Sequence, residues 1–143
     1  MGEKHFEELN LEKLQQPPYN LQKTQNVHIQ STARHTKAQT DWIISKIIKL
    51  NITSFIFFAP TYHITRAYLT LLKSLIQSEI KPVIMIPKPV VMSPNVIIPE
   101  ADATARSLIP GEIQRIKIYQ EKGDVAALDE LENYLDSTLY PFL

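Results

Sequence analysis

Residues 53–66, TSFIFFAPTYHITR, decide the fold that this sequence predicts. The apolar run at 55–58 has no alternating polar residues, which is typical of a strand buried on both faces in a parallel sheet flanked by helices. Pro60 ends this strand, and the polar residues 61–63 lead into a helix that carries Arg66. Ligands of open parallel sheets bind beyond the carboxyl ends of the strands, so we expect any ligand site to include this turn.

The elements predicted around this stretch follow the order β-α-β-α-β. A short alternating strand at 27–30 precedes a helix that ends near Leu50, and the helix at 64–79 precedes an apolar strand at 83–86. We therefore predict a single α/β domain over residues 1–143. It has a small parallel sheet in a three-layer α/β/α arrangement, a Rossmann-like core and C-terminal helices.

The other segments are predicted to be helices joined by one long loop. A short helix covers residues 3–16, and four prolines exclude regular structure from residues 87–99. A helical region at 101–122 is interrupted near Pro110.

The last two predicted helices meet at Gly123, which is a plausible C-cap, and Asp124 is expected to cap the final helix. Their apolar stripes are expected to face the core. These stripes consist of Ile113, Ile116 and Tyr119 in the first of these helices and of Leu128, Leu131, Leu135 and Leu139 in the second.

The composition favours a folded protein that does not bind a highly charged polymer or surface. Hydrophobic residues make up 44% and charged residues 21% of the 143 residues, which is enough for a packed core. Lys+Arg and Asp+Glu number 15 each, so we expect no nucleic acid and no membrane surface as partner. The cysteine-free chain has no membrane-spanning run and a charged N-terminus, so we expect a cytoplasmic protein.

Glycine is scarce, and its positions exclude two nucleotide-binding motifs. Gly2, Gly111 and Gly123 are the only glycines, and none follows a predicted strand. A dinucleotide-binding fingerprint and a P-loop both need glycines between a strand and a helix, where the backbone approaches a phosphate. Ordinary Rossmann dehydrogenases and P-loop NTPases are therefore excluded.

Polar residues cluster where the predicted strands end. Thr36 follows the first strand, and Thr61, Tyr62, His63 and Arg66 follow the second. Since parallel strands end at one edge of a sheet, we expect these residues to bind a small anionic ligand, with Arg66 as a fork of donors beside helix N-termini. Histidine suits proton transfer near neutral pH, so His63 is the candidate catalytic acid or base.

Each of these residues also has a purely structural explanation. Thr36 and Thr61 are placed to cap helices, and capping explains Thr36 as well as ligand contact does. Packing over the loop is the usual role of a lone tyrosine such as Tyr62, and a hydrogen bond to a neighbouring carbonyl explains His63 as well as a functional role does. The histidines lack metal-ligand spacing, so we predict no metal site.

The turn at 59–67, APTYHITRA, resembles a motif of the YdcF/SanA/ElyC family. In that motif an apolar strand is followed by Tyr-His, two residues and Arg-Ala. Tyr62, His63, Arg66 and Ala67 match it in order and spacing.

Two further segments are similar to the same family. Residues 31–40, STARHTKAQT, resemble its Asn-Thr motif, in which Thr36 matches, His35 replaces Asn and Ala38 replaces Glu. Residues 111–126 resemble a tail of some members. The family's Gly-rich segments are missing, so the chain resembles the C-terminal part of a YdcF-like domain that is truncated at its N-terminus.

The resemblance implies a nucleotide or S-adenosylmethionine as ligand, because S-adenosylmethionine binding is associated with a soluble branch of the family. It implies no defined reaction, and the sequence leaves open whether the chain is an enzyme. The alternative hypothesis is a non-catalytic interaction module. Such a chain would form a homodimer or bind a separate partner chain that supplies the missing segment, because the edges of a small sheet favour pairing.

Overall fold

The computed structural model of the protein describes residues 10–22 and 26–143. Contacts divide the chain into two units, Met1–Arg34 and His35–Leu143. The second unit contains every strand in the described part of the chain and all five predicted site residues.

The described residues of the first unit contain one short helix, α1 (Leu11–Gln15). The Asn10 side chain caps this helix by accepting the N–H of Lys13 at 2.8 Å. The predicted helix at 3–16 agrees with α1 in this part, whereas residues 3–9 lie outside the described residues.

The predicted strand at 27–30 is wrong, because residues 26–34 form neither helix nor strand. The Gln30 side chain accepts the N–H groups of Thr32 and Ala33 at 2.7 and 3.3 Å. Such local bonds between side chain and backbone compete with a sheet ladder. The predicted β-α-β-α-β order therefore reduces to β-α-β.

The second unit starts with alternating helices and strands and ends in helices. Its elements are α2 (Thr36–Leu50), β1 (Ser54–Pro60), α3 (Ile64–Gln77), β2 (Ile84–Val90), β3 (Ile97–Ile98), β4 (Ala103–Thr104), α4 (Ala105–Lys122), α5 (Leu128–Tyr134), a π-helical turn (Leu135–Leu139) and α6 (Tyr140–Phe142). The prediction of an α/β protein is confirmed. Within the described residues the parallel sheet has two strands, β1 and β2, and β3 and β4 form a separate antiparallel pair. None of the helices described is both long and apolar enough to cross a membrane.

β2 runs into the proline-rich segment, so the prediction that residues 87–99 lack regular structure is wrong. Pro87 pairs with Phe57 and Pro89 with Ala59 in the parallel register. Ile84 donates its N–H toward the first strand, to the carbonyl of Thr53 at 2.9 Å. Alternate residues of a strand face opposite edges, so the prolines occupy positions whose nitrogen points away from β1, and no ladder bond is lost.

The predicted break near Pro110 is also wrong, because α4 is continuous through this residue. The helix begins where the Thr104 hydroxyl accepts the N–H of Ser107 at 3.2 Å. Proline removes a single intrahelical hydrogen bond here, and the contacts of Glu112 two residues later hold the helix in place. The predicted end at Gly123 is confirmed, with φ of 81° in the left-handed region.

The final helix starts later than predicted. Asp124 is not its cap, since its backbone N–H donates to the carbonyl of Tyr119 and belongs to the end of α4. α5 begins after Ala127, whose N–H donates to the Glu130 carboxylate at 2.9 Å. The predicted leucine stripe is only partly buried, because Leu128 is 76% exposed.

The core of the second unit joins α2, α3, β2, the loop between α4 and α5, the end of α5 and the π-helical turn. Its most deeply buried apolar residues are Leu71, Leu72, Met85, Val125 and Ala126.

Two buried tyrosines close the outer edge of β2. The hydroxyl of Tyr134 accepts the N–H of Met85 at 2.7 Å and donates to the carbonyl of Val83 at 2.8 Å. The hydroxyl of Tyr68 donates to the carbonyl of Met85 at 2.9 Å. Burial raises the pKa of both tyrosines, which keeps these hydroxyls protonated. These bonds replace those of a third strand beside β2.

The outward face of β1 is exposed. Ile56 is 56% and Phe58 is 61% exposed, whereas Phe57 packs edge-on against the Tyr68 ring, 6.3 Å between centroids. The prediction that this strand is buried on both faces is therefore wrong. The other edge of β1 has no partner strand among the described residues.

Candidate functional site

The turn after β1 is tight, and its backbone groups are used by the protein itself. Thr61 donates its N–H to the carbonyl of Val90 at 3.2 Å, and His63 donates its N–H to that of Pro60 at 2.9 Å. These bonds join the ends of the two strands and start α3 at Ile64. The Thr61 side chain is exposed beside this turn.

Arg66 is held by a carboxylate that arrives from the distant helix α4. Its Nε and Nη2 atoms donate to the two oxygens of Glu112, at 2.5 and 3.1 Å. Its Nη1 atom donates to the Thr36 hydroxyl at 3.2 Å. One guanidinium group thus connects the starts of α2 and α3 with α4, and its side chain is only 14% exposed. Bidentate pairs of this kind fix orientation as well as charge.

Glu112 is 7% exposed and has four charge-assisted contacts. Besides Arg66, it contacts His63 Nδ1 at 3.2 Å and Arg115 Nη1 at 3.4 Å. Burial raises the pKa of Glu112, but hydrogen bonds from His63 and Arg66 outweigh burial and lower it from 4.5 to about 2. The carboxylate is therefore ionised at neutral pH.

His63 is oriented by the same carboxylate. Its Nδ1 lies 3.2 Å from Glu112 Oε2 and 3.3 Å from Arg66 Nη2. An ionised carboxylate only accepts hydrogen bonds, so its contact requires a proton on Nδ1. Arg66 Nη2 already donates to the other oxygen of Glu112, so it needs no acceptor on the imidazole. This tautomer leaves the lone pair on Nε2, as a proton acceptor requires.

Tyr62 lies beside this group without a hydrogen bond to it. Its ring centroid is 6.1 Å from that of His63, with an angle of 40° between the rings. Burial raises the pKa of Tyr62, and the carboxylates of Glu100 and Glu112 raise it further, against the opposing effect of Arg66. The phenol is consequently neutral over the ordinary pH range.

The helix-capping explanation of Thr36 is wrong. His35 is the N-cap of α2, and its Nδ1 accepts the N–H of Ala38 at 3.2 Å. Thr36 is the first helical residue, and its hydroxyl accepts from Arg66 instead. Thr61 does not cap α3 either, because His63 occupies that position.

A cleft of about 360 Å³ opens where α2 begins, against α3 and the end of α4. Its lining comprises His35, Thr36, Lys37, Arg66, Thr70, Tyr119, Asp124 and Val125. Of the five predicted site residues, Thr36 and Arg66 line this cleft. His63 joins them through Glu112, Tyr62 lies next to His63, and the Thr61 side chain makes no hydrogen bond to the others.

Sequence reasoning missed Glu112, Lys37 and Asp124. Glu112 stands four residues before Ile116 and seven before Tyr119, so a helical wheel places this acid on the partly buried face of α4. A charged residue on an apolar stripe was the available signal, because such residues are seldom buried without a partner. Lys37 and Asp124 reach the cleft only through tertiary packing, and no local pattern marks them.

Metal ligation has no support in the described part of the chain, where no three His, Asp or Glu side chains are grouped to hold an ion. No family model, no curated protein and no solved structure matches this chain. The resemblance of residues 59–67 to the YdcF/SanA/ElyC motif therefore stays a prediction.

Proposed function

We propose that this protein binds a small anionic ligand in the cleft beside Arg66. The observation that carries the proposal is the fixed guanidinium, which Glu112 orients by two contacts while Nη1 faces Thr36 at the cleft wall. A donor whose orientation is set before binding loses little conformational entropy when the ligand arrives.

The rest of the cleft suits an anionic group next to Arg66. Lys37 contributes a second cation, and its Nζ is tied to Asp41 at 2.5 Å and to the Ser74 hydroxyl at 3.2 Å. Thr36 adds a hydroxyl, and a volume of about 360 Å³ falls within the usual range for small-molecule sites. The ligand class that we propose is a nucleotide or an S-adenosylmethionine-like molecule in a YdcF-like domain.

Should the bound ligand extend past the cleft lining to His63 and be transformed there, His63 is the residue that we propose to carry the proton. Glu112 fixes its tautomer, so Nε2 can take a proton from a substrate hydroxyl or a water. In this role Glu112 is a positioning residue, like the carboxylate that orients the histidine of a catalytic triad.

Thermal unfolding in the presence of nucleotides, sugar phosphates and S-adenosylmethionine tests the proposal. A ligand at about 100 times its dissociation constant stabilises the folded state by about 2.7 kcal/mol, which raises Tm by several degrees. We expect this shift in the wild type and its loss in Arg66→Gln. Arg106→Gln is the matched control, because Arg106 is an exposed arginine outside the cleft lining. A ligand-induced shift that survives in Arg66→Gln would refute the assignment of the site.

A second candidate function is an interaction module, which the exposed face of β1 favours. Ile56 and Phe58 form an apolar patch on the side of the sheet opposite Phe57. α2 and α3 share one core cluster, so we propose that the Rossmann-like three-layer arrangement is completed on the other face by a second copy or a complementing chain.

The molar mass in solution, with Phe58→Asp as variant, tests this second candidate. We expect a concentration-dependent dimer, or a complex with a separate chain, that the charge on this face abolishes. The matched control is Val91→Asp, which introduces the same charge at a residue that is 83% exposed but lies beyond the end of β2. A monomer at high concentration that unfolds cooperatively and binds no partner chain would refute the module.

A further inference from the structure

We propose that the ligand of the cleft is a zwitterion, an amino acid whose carboxylate faces Arg66 and whose ammonium group faces Asp124. This inference rests on the proposed function and names the charge pattern of its ligand. The cleft carries opposite charges on its wall, with Arg66 and Lys37 from α3 and α2 and Asp124 just after the end of α4.

Asp124 is the unusual member of this lining. Its side chain has no hydrogen bond and no ion pair with any residue in the ranges 10–22 and 26–143, although a guanidinium lines the same cleft. The two groups are therefore more than the 4.0 Å of an ion pair apart. Separated opposite charges across a small cleft complement a molecule that carries both charges.

The cations of the cleft are already partly neutralised, which disfavours a multiply charged anion. Arg66 binds Glu112 through two nitrogens, and Lys37 binds Asp41. Asp124 adds a third carboxylate, while Arg115 shares the charge of Glu112 and Lys122 lies over the Tyr119 ring. A single carboxylate needs only the Nη1 edge of Arg66, Lys37 and the Thr36 hydroxyl, whereas a phosphate dianion would bring two charges to cations that each already bind a carboxylate.

The lining of the cleft also includes apolar surface. Val125 and the Tyr119 ring belong to the same lining. Lys122 already covers one approach to that ring, with its Nζ 5.2 Å from the centroid. A short methylene chain or side chain fits such a wall, because apolar surface gains free energy when it leaves water.

Matched ligands test the charge pattern without altering the protein. The probes are straight-chain amino acids from glycine to 6-aminohexanoate, their N-acetyl derivatives, which lack the ammonium charge, and their amides, which lack the carboxylate. Amide chemical shifts in titrations give the dissociation constants. We expect one chain length to bind best, and we expect N-acetylation or amidation to weaken it by about tenfold, the equivalent of about 1.4 kcal/mol.

Asp124→Asn assigns the ammonium contact. In this variant the free amino acid should bind about as weakly as its N-acetyl derivative does to the wild type, whereas N-acetylation should cost nothing further. Asp129→Asn is the control, since Asp129 is an exposed acid of α5 outside the cleft. The Asp124 side chain has no hydrogen bond and no ion pair with the described residues that its exchange for Asn would remove.

The experiments distinguish failure of the zwitterion inference from failure of the proposed function. Equal affinity for the free and N-acetylated probes, with no effect of Asp124→Asn, would overturn the zwitterion while a carboxylate site at Arg66 remains. Absence of binding by every amino acid, every N-acetyl derivative and every phosphate in the thermal panel would overturn both this inference and the proposed function.

Discussion

Helices α3 and α4 both contribute to the candidate site, and they are held in place by different forces. α3 has 14 residues, of which eight are buried. α4 has 18 residues, of which only Ala105 and Glu112 are buried. α3 is thus fixed by apolar packing, whereas α4 depends strongly on one carboxylate and its contacts with Arg66, His63 and Arg115. Changes at the site should therefore loosen α4 more than α3.

The largest effect is expected on the α3 side of this comparison. Leu71 is completely buried in the core. Leu71→Ala removes three buried carbon atoms and leaves a cavity, which should lower the free energy of unfolding by about 2–5 kcal/mol. Urea unfolding followed by circular dichroism measures this change. A loss below about 1 kcal/mol would show that apolar packing does not fix α3.

The second prediction concerns the α4 side and the loss of stability at acid pH. The folded-state pKa of Glu112 is about 2 and its ordinary value is 4.5, so the unfolded chain binds this proton first as pH falls. The stabilisation is complete above pH 4.5 and is lost as pH falls toward 2. It amounts to about 3 kcal/mol, since one pKa unit corresponds to about 1.4 kcal/mol.

The comparison of wild type with Glu112→Gln isolates this contribution, because other acids titrate in both proteins. We expect a stability gap at pH 7 that narrows steadily below pH 4.5 in unfolding experiments. Glu121→Gln, on the exposed side of the same helix, should show no such gap. A gap that stays constant down to pH 2 would mean that the carboxylate does not stabilise α4 through its charge.

The third prediction uses the two glycines of α4, which should respond to alanine with opposite signs. Gly123 ends the helix with φ of 81°, so Gly123→Ala should destabilise the protein by about 1–2 kcal/mol although nothing lies within 4 Å of the added Cβ. Gly111 lies inside the helix, where the added carbon meets only the flexible Arg115 side chain at 3.5 Å. Gly111→Ala should stabilise by about 0.5–1 kcal/mol. Equal signs in thermal unfolding would contradict the assigned end of α4.

The contrast between the apolar packing of α3 and the polar contacts of α4 also explains which elements the sequence predicts correctly. The apolar periodicity of α3 and the continuous apolar run of β1 are strong signals, and both elements are confirmed with ends close to those predicted. The strand at 27–30 rests on two alternating apolar residues, and the Gln30 side chain provides competing local bonds. The prolines of β2 mislead because a proline is compatible with the outer edge of a strand, which the sequence does not reveal.

The residues of the candidate site also differ in whether the sequence predicts them. Arg66 and Thr36 were predicted from their positions after strands or at helix starts, and they meet in the cleft. Glu112 arrives from 46 residues further along the chain, through packing that no local pattern encodes. The position of an acid on the partly buried face of α4 was the available indication. The predicted face of α4 was rotated, because Ile113 was counted as inward in place of Glu112.

The prediction with the smallest expected effect tests which face of α4 points toward the core. Ile113 was predicted to face the core, but it is 52% exposed, whereas Ile116 packs against the core cluster. Ile113→Ala should therefore change the free energy of unfolding by less than about 0.5 kcal/mol, as most surface substitutions do. Ile116→Ala, three residues later on the same helix, should cost more than about 1 kcal/mol. If the two losses are reversed in urea unfolding, α4 presents the Ile113 face inward, and Glu112 cannot lie buried against Arg66.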